Sequence, residues 1–324
     1  MKKILSFMLA SAALLAVSCQ KEVNPEDLSN ADALVTVNVQ LPTELLTKAN
    51  GEGNQIDALH YEIYNEDFTK LVYKPATAAT VTSGTATVEF KLVRDGVYSF
   101  VFWAQDADSK AYDTNDLLRI EIDYDAEATD GNATGNLESR DAFYAVEESY
   151  IVKDSGNSIT VTLERPFAQV NFATSDMTGT TGGNITFKNY EITLKGLATV
   201  FDTVAGVGIT PIESVVFESN SLVDNELHNA KYNYVAMNYI LMPLNTQATI
   251  EASATFVIAQ AGIDYTIEHS ALEFPVQSNY RTNIYGTLFT ADGTINAAIS
   301  AAFASPDNDK VIDDAIDDAI VAVP

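Results

Sequence analysis

The sequence predicts an all-β protein built as two β-sandwiches in tandem, and three observations carry that expectation. Segment after segment alternates apolar and polar residues with a period of two, the mark of half-buried strands. Turn-forming pairs separate these segments: Asp95-Gly96, Asp130-Gly131, Gly182-Gly183 and Asp292-Gly293. The pattern stops and restarts at Arg165-Pro166, which puts a boundary near residues 164–166. Many short strands at regular spacing read as sandwiches.

The elements follow in order. Val35, Val37, Val39 and Leu41 alternate with Thr36, Asn38 and Gln40, giving a first strand over 34–41. Leu59, Tyr61 and Ile63 give a second, and Ala86, Val88, Phe90 and Leu92 a third. Residues 97–104 are apolar on both faces and read as a central strand with Trp103 in the core. Leu118 to Tyr124 and Ile159 to Leu163 alternate again. Beyond Pro166 come strands at Ala168–Phe172, 185–197, 235–241, 250–258, 263–267 and 284–289. The end of the chain differs. Ile312, Ile316 and Ile320 recur every four residues with aspartates between them, which fits a short amphipathic helix in an acidic tail. The expected organisation is a leader over 1–18, a tether over 19–33, an N-terminal sandwich over 34–165, a C-terminal sandwich over 166–303 and the tail over 304–324.

Composition bounds the function. A chain of 324 residues suggests two domains at roughly 150 residues each. Hydrophobic residues at 47% and aromatics at 10% are those of a globular protein, not a disordered one. Forty-five acidic against 18 basic residues give a net charge of −27, which excludes a nucleic-acid binder, because phosphate neutralisation needs Lys and Arg. The same balance argues against a basic patch docking on anionic lipid. The single cysteine excludes an intrachain disulfide and a zinc site built on several thiolates.

The N-terminus reads as an address. Met1-Lys2-Lys3 is basic, and residues 4–17 form an apolar run too short to span a bilayer comfortably. Ala16-Val17-Ser18-Cys19 then ends in the only cysteine. This resembles a bacterial lipoprotein signal, which implies cleavage between Ser18 and Cys19 and a lipid on Cys19 that holds the chain in the outer membrane. Ala16 stands where such signals more commonly have Leu. An ordinary secretory leader with an incidental Cys19 is the alternative. Gln20-Lys21-Glu22 resembles a short polar tag for export to the outer face of that membrane, or is plain linker.

No catalytic constellation emerges. There is no nucleophile elbow, phosphate loop or His-Glu-x-x-His. Asp123, Asp125, Glu127 and Asp130 make the densest acidic loop but lack the glycine and distal Glu of a calcium hand. Asp106, Asp108, Asp113 and Asp116 read as a solvated loop in the same way. His60, His228 and His269 lie far apart. The expectation is a non-enzyme with no metal and no cofactor. Asp202-Thr203-Val204 matches a short acceptor pattern for O-linked sugar.

Three stretches carry a family resemblance. Lys48-Ala49-Asn50-Gly51 followed by Ile56-Asp57-Ala58-Leu59-His60-Tyr61-Glu62-Ile63-Tyr64-Asn65 resembles the start of mature fimbrillins, the lipoprotein pilins of gut and oral anaerobes of the Bacteroides type. Val161-Thr162-Leu163-Glu164-Arg165-Pro166-Phe167-Ala168-Gln169-Val170-Asn171-Phe172 resembles the passage between their two domains, and Asn279-Tyr280-Arg281-Thr282-Asn283-Ile284-Tyr285-Gly286 their late strand. The resemblance covers roughly residues 1–290 and not the acidic tail. It implies two sandwiches of transthyretin-like topology, lipid anchoring through Cys19, and a protease cut between Lys48 and Ala49 in the loop after the first strand. The strand carrying Val35, Val37, Val39 and Leu41 is then displaced, and a strand from another fimbrial subunit fills the groove, so the partners are other subunits in a homo- or hetero-polymer that supports adhesion. Lys48 departs from the Arg of the best-known members, and an Arg-only protease would leave it intact. The alternative is an uncleaved monomeric surface lipoprotein that binds host glycan or protein.

Overall fold

The structure, a computed structural model, describes residues 32–42, 55–128, 132–177, 185–223, 227–228, 232–244, 247–290 and 295–300. The leader with Ser18 and Cys19, nearly all of the 19–33 tether, Lys48 and Ala49, Asp130 and the 304–324 tail lie outside the described residues.

The first half carries β1 (Asp32–Gln40), β2 (Ala58–Asn65), β3 (Leu71–Tyr73), β4 (Ala79–Thr80), β5 (Thr85–Val93), β6 (Val97–Gln105), β7 (Tyr112–Asp113), β8 (Arg119–Ile122), β9 (Ala133–Thr134), β10 (Ala142–Ile151) and β11 (Asn157–Thr162). The second carries β12 (Phe167–Thr174), β13 (Ile185–Asp202), β14 (Val207–Ser219), β15 (Leu227–His228), β16 (Tyr232–Leu241), β17 (Ala248–Gln260), β18 (Ile263–Val276), β19 (Arg281–Gly286) and β20 (Ile295–Ser300). A 3₁₀ turn over Glu138–Arg140 precedes β10. The protein is all-β among the described residues, as the period-two pattern predicts.

Four sheets form two face-to-face layers. In the first half, β11-β1-β5 packs on β10-β6-β2-β3, with β4 at the side of β2. Phe90 of β5 meets Tyr61 of β2 at 6.0 Å and Phe100 of β6 at 5.5 Å between ring centroids. Strict alternation on β5 buries Ala86, Val88, Phe90 and Leu92 and leaves Thr85, Thr87, Glu89 and Lys91 outside. In the second half, β15-β16-β12-β19-β20 packs on β18-β17-β13-β14-β9. Phe172 of β12 meets Phe256 of β17 at 6.4 Å and Phe274 of β18 at 6.3 Å. All eight residues of β12 are buried, so it is covered on both faces.

The two halves share a core. Residues 112–134 leave the first half and pair with the second: β8 runs antiparallel to β13, with Phe201 opposite Ile120, and β9 runs parallel to β14. Trp103 is fully buried, as expected, and meets Tyr112 at 5.3 Å, Phe201 at 6.1 Å and Phe167 at 6.3 Å. Beneath this aromatic cluster lies a buried ion pair. Arg165 Nε donates to Asp141 Oδ1 at 2.5 Å and its Nη2 to Oδ2 at 2.6 Å, while the Phe143 ring lies 4.6 Å under the guanidinium. Burial raises the Asp141 carboxyl above its ordinary range even against the pull of Arg165. Nearby, Arg140 Nη2 donates to the Tyr124 carbonyl at 2.5 Å, and the Tyr124 hydroxyl bridges the Ala198 carbonyl and the Leu241 amide, both at 3.0 Å.

The loop after β9 threads tightly into the second half. Gly135 donates its N–H to the Glu218 carbonyl at 2.7 Å, and a Cβ at this position would lie 1.8 Å from the Tyr190 hydroxyl. Only glycine lets the backbone approach so closely.

Two outcomes follow from the junction. Asp141→Ala leaves the Arg165 charge buried without its partner and should cost about 3–5 kcal/mol, whereas Asp141→Leu combined with Arg165→Met should restore most of it. Urea midpoints at constant m-value check both. Gly135→Ala should destabilise by about 1–3 kcal/mol through the clash with Tyr190, read in the same titration.

Candidate functional site

The site is the seat of β1. Although first in sequence, β1 is the central strand of its sheet. Its residues Asp32–Gln40 pair antiparallel with β5, Val37 opposite Val88, and Val35–Gln40 pair parallel with β11, Val37 opposite Ile159. Removing β1 would therefore open the backbone edges of both neighbours.

The side chains divide by face. Val35 and Val37 are 0% exposed, and Val39 and Leu41 are 2% exposed. They share their face with Phe90, opposite Val35 on β5, and with Val88, opposite Val37. The facing sheet brings Tyr61, Phe100 and Phe102, whose rings sit 6.4–6.5 Å from one another along β2 and β6. Burial pushes the Tyr61 phenol well up from its ordinary value. The outer face is polar. Thr36 Oγ1 donates to Glu89 Oε1 at 3.3 Å, Thr87 Oγ1 to Asn38 Oδ1 at 3.0 Å, and Gln40 Nε2 to Thr162 Oγ1 at 3.0 Å. At the end of the strand, Leu41 N–H donates to the Gly84 carbonyl at 2.8 Å and Leu163 N–H to the Gln40 carbonyl at 2.9 Å. The four residues singled out as a displaceable strand are thus together on one buried face. Lys48 and Ala49, which follow within a few residues, lie outside the described residues.

The other sequence candidates resolve into structural roles. Asp106, Asp113, Asp116 and Asp123 each accept, through Oδ1, the N–H two residues on, at 2.8–3.0 Å. They shape turns in the segment that crosses to the second half. Burial lowers the His60 pKa, and His269 is buried with Nε2 2.7 Å from the Leu288 carbonyl. Thr203 is 1% exposed and donates Oγ1–H to the Leu117 carbonyl at 2.8 Å, so the expected sugar acceptor is inaccessible in the folded chain. Its neighbours Val204 and Ala205 are exposed, and Asp202 is half-buried. A polar cleft of about 750 Å³ opens between β8 and the β13–β14 hairpin, lined by Lys110, Asp113, Glu121, Asp123, Thr199 and Thr210 among others.

Sequence reasoning missed the buried carboxylate of Glu62. It is 1% exposed, lies 2.6 Å from Lys74 Nζ, and accepts from the Leu117 N–H at 3.0 Å and from the Tyr64 hydroxyl. It pins the 106–118 segment over the outer face of β2. An acid on the alternating face of a strand gives no sign of this in sequence, because it reads as a solvated position.

Val37→Asp places an unpaired carboxylate between Val88 and Ile159 and should unseat β1 in the uncut chain. Hydrogen exchange should then rise on β5 and β11 while the amides of β13 and β17 keep their protection. Peptide mass mapping of the chain purified from its native cells should show Thr203 unmodified.

A solved candidate cell adhesion protein from Bacteroides uniformis superposes with a TM-score of 0.51 at 10% identity, over 82% of this chain and 97% of that one. The likeness shows a shared fold. A candidate cell adhesion protein from Bacteroides eggerthii aligns with a TM-score of 0.48 at 12% identity, over 83% of this chain and 95% of that one. The tip fimbrial protein Mfa3 from Porphyromonas gingivalis, truncated at its C-terminus, gives 0.42 at 11% identity, over 83% of this chain and 99% of that one. No curated protein matches the sequence. A family described as being of unknown function, DUF6562, matches residues 27–321, and the chain belongs to that family.

Proposed function

We propose that this chain is a surface lipoprotein of the fimbrillin kind, a pilus subunit that joins its neighbours by exchanging β1 for a strand of another subunit. The observation that carries the reading is the position of β1: central in its sheet, buried along one face, and followed at once by the segment that holds Lys48. The fold shared with a candidate cell adhesion protein of Bacteroides uniformis supports it.

The sequence of events is physical. Export and cleavage before Cys19 leave the chain lipid-anchored at the outer membrane. A cut between Lys48 and Ala49 severs β1 from the body and, with it, the body from the lipid. The cut does not by itself release β1. Four buried aliphatic side chains contribute about 6–12 kcal/mol at 1.5–3 kcal/mol each, comparable to the whole stability of a domain. The severed strand therefore stays seated until an incoming strand with the same alternation displaces it. Once empty, the groove offers two unpaired edges and an apolar floor, which a donor strand satisfies together. The reading assigns no catalytic residue and no cofactor.

A second reading rests on the polar cleft at Lys110, Glu121 and Thr210. There the chain remains uncut and monomeric, and binds glycan or protein of a host.

Intact mass and N-terminal sequencing of the protein shaved from native cells separate the two. A chain that begins at Ala49 and runs in high-mass assemblies supports the exchange reading, and Lys48→Ala should then abolish assembly while leaving the monomer folded. A lipidated chain beginning at Cys19, monomeric in detergent, overturns it in favour of the second.

A further inference from the structure

The first sandwich has an open seam. β10 ends one of its sheets and β11 ends the other. Among the described residues these two edges pair at one point. Tyr144 N–H donates to the Glu164 carbonyl and Glu164 N–H to the Tyr144 carbonyl, both at 2.8 Å, as an isolated antiparallel bridge. Continued, that register would set Val146 against Thr162, and the two strands would zip together. Instead β10 bulges after Glu147, and a groove of about 390 Å³ lies between the edges. The turn over Thr203–Gly206 of the second half forms a further wall.

The bridge fixes which backbone groups face the groove. Leu163 N–H donates to the Gln40 carbonyl of β1 at 2.9 Å, whereas Glu164 turns to β10. Direction alternates along a strand, so Thr160 and Thr162 present their N–H and C=O on the same side as Glu164. By the same alternation Val146 follows Tyr144 in facing out from β10. The ladder of β11 runs to β1 and that of β10 to β6. The backbone groups of Val146, Thr160 and Thr162 therefore border the groove with no backbone partner among the described residues. Free edges are commonly blunted by Lys, Pro or a bulge. β11 has neither Lys nor Pro, and its register with β1 is unbroken. Its sequence, Asn-Ser-Ile-Thr-Val-Thr, is uncharged and rich in β-branched residues, which suits it to take another strand.

Charge decides what fits. Glu147 and Glu164 line the groove, and no Lys or Arg lines it with them. Neither carboxylate forms an ion pair among the described residues. Val204, 40% exposed, adds an apolar contact at the wall. A second copy of a chain with net charge −27 is a poor guest, because the two would repel. We propose that the groove takes an extended segment of a different, basic partner protein. The segment adds as a strand to the free edge of β11, exchanges backbone hydrogen bonds with Thr160 and Thr162, and sets a Lys or Arg between Glu147 and Glu164. This edge lies on the side of β11 away from β1, so it is open whether or not β1 is ever exchanged.

The probe is a capped heptapeptide that alternates valine with lysine, titrated into the uncut, full-length chain and followed by hydrogen-exchange mass spectrometry. Binding should saturate below about 1 mM, slow exchange over 157–164 and leave exchange on β1 unchanged. Replacing the peptide's lysines by glutamate should weaken binding about tenfold. Thr162→Pro removes one outward N–H without touching the β1 ladder, and should weaken it about fivefold. Glu147→Gln combined with Glu164→Gln keeps every backbone group and should erase the preference for lysine over glutamate, which keeps the test decisive if the proline variant fails to fold. Absence of saturable binding overturns the proposal. So does faster exchange on β1, which would make the β1 slot the receptor, or binding indifferent to both sets of substitutions. Dimers that form through 157–164 as concentration rises also overturn it, because a second copy would then be the occupant.

Discussion

The parallel pairing of β1 with β11 is the constraint on which the first half depends. Antiparallel neighbours can be joined by a short turn, but a parallel neighbour must come from elsewhere in the chain. Here the two strands are separated by more than a hundred residues, so their pairing closes a loop that contains nearly all of the first half. β1 closes that sheet by filling the slot between β11 and β5. Its contribution is large because it is doubly paired and buried along one face. Its replacement is chemically simple because little about it is specific. The slot asks for an aliphatic residue at every second position and a polar one between.

The junction has the opposite character. Asp141, Arg165 and Phe143 form a bidentate, stacked contact in which neither charge reaches water. Such a pair adds little net stability over a well-packed apolar substitute, since taking both ions out of water offsets most of the Coulomb gain. It does fix the start of β10 against the stretch that leads into β12, because a shift that parts the ions separates two opposite charges in a low-dielectric site.

How legible this was differs by element. The alternating strands were legible where one face meets core and the other meets water. Val35 to Leu41 and Ala86 to Leu92 are the clear cases, and the burial of Trp103 followed from a doubly apolar run. The expected strand at Leu118–Tyr124 is shorter in the structure, Arg119–Ile122, because the Asp116 and Asp123 turns bound it. β10 and β14 escaped the reading. Ala142–Ile151 and Val207–Ser219 mix exposed and buried positions without a clean alternation, β10 being bulged after Glu147. Crossing of residues 112–134 into the second half was not readable either, since pairing partners leave no trace in a strand of two to four residues. The site was half legible. The pattern marked the buried face of β1, but nothing in it said that β1 is central. Gln169 and Asn171 of β12 alternate with apolar residues and yet are buried, because periodicity reports which residues share a face and not what lies over it.

On the proposed reading, the geometry lets β1 leave without loosening the rest of the subunit. Alternation on β6 sends Phe100 and Phe102 toward the sheet that holds β1, and Val101 and Trp103 the other way. Trp103 meets Phe167 and Phe201, so the core between the halves is built on the side of β6 that β1 does not touch. Opening the β1 slot exposes Phe90 and the phenyl face of the first sandwich, but leaves Trp103, the Asp141–Arg165 pair and the β8–β13 pairing untouched. The β1 slot and the core between the halves thus lie on opposite sides of a single sheet. A polymer built by strand exchange needs this separation. The joint between subunits must open and reseal, while the joint within each subunit must transmit load without yielding.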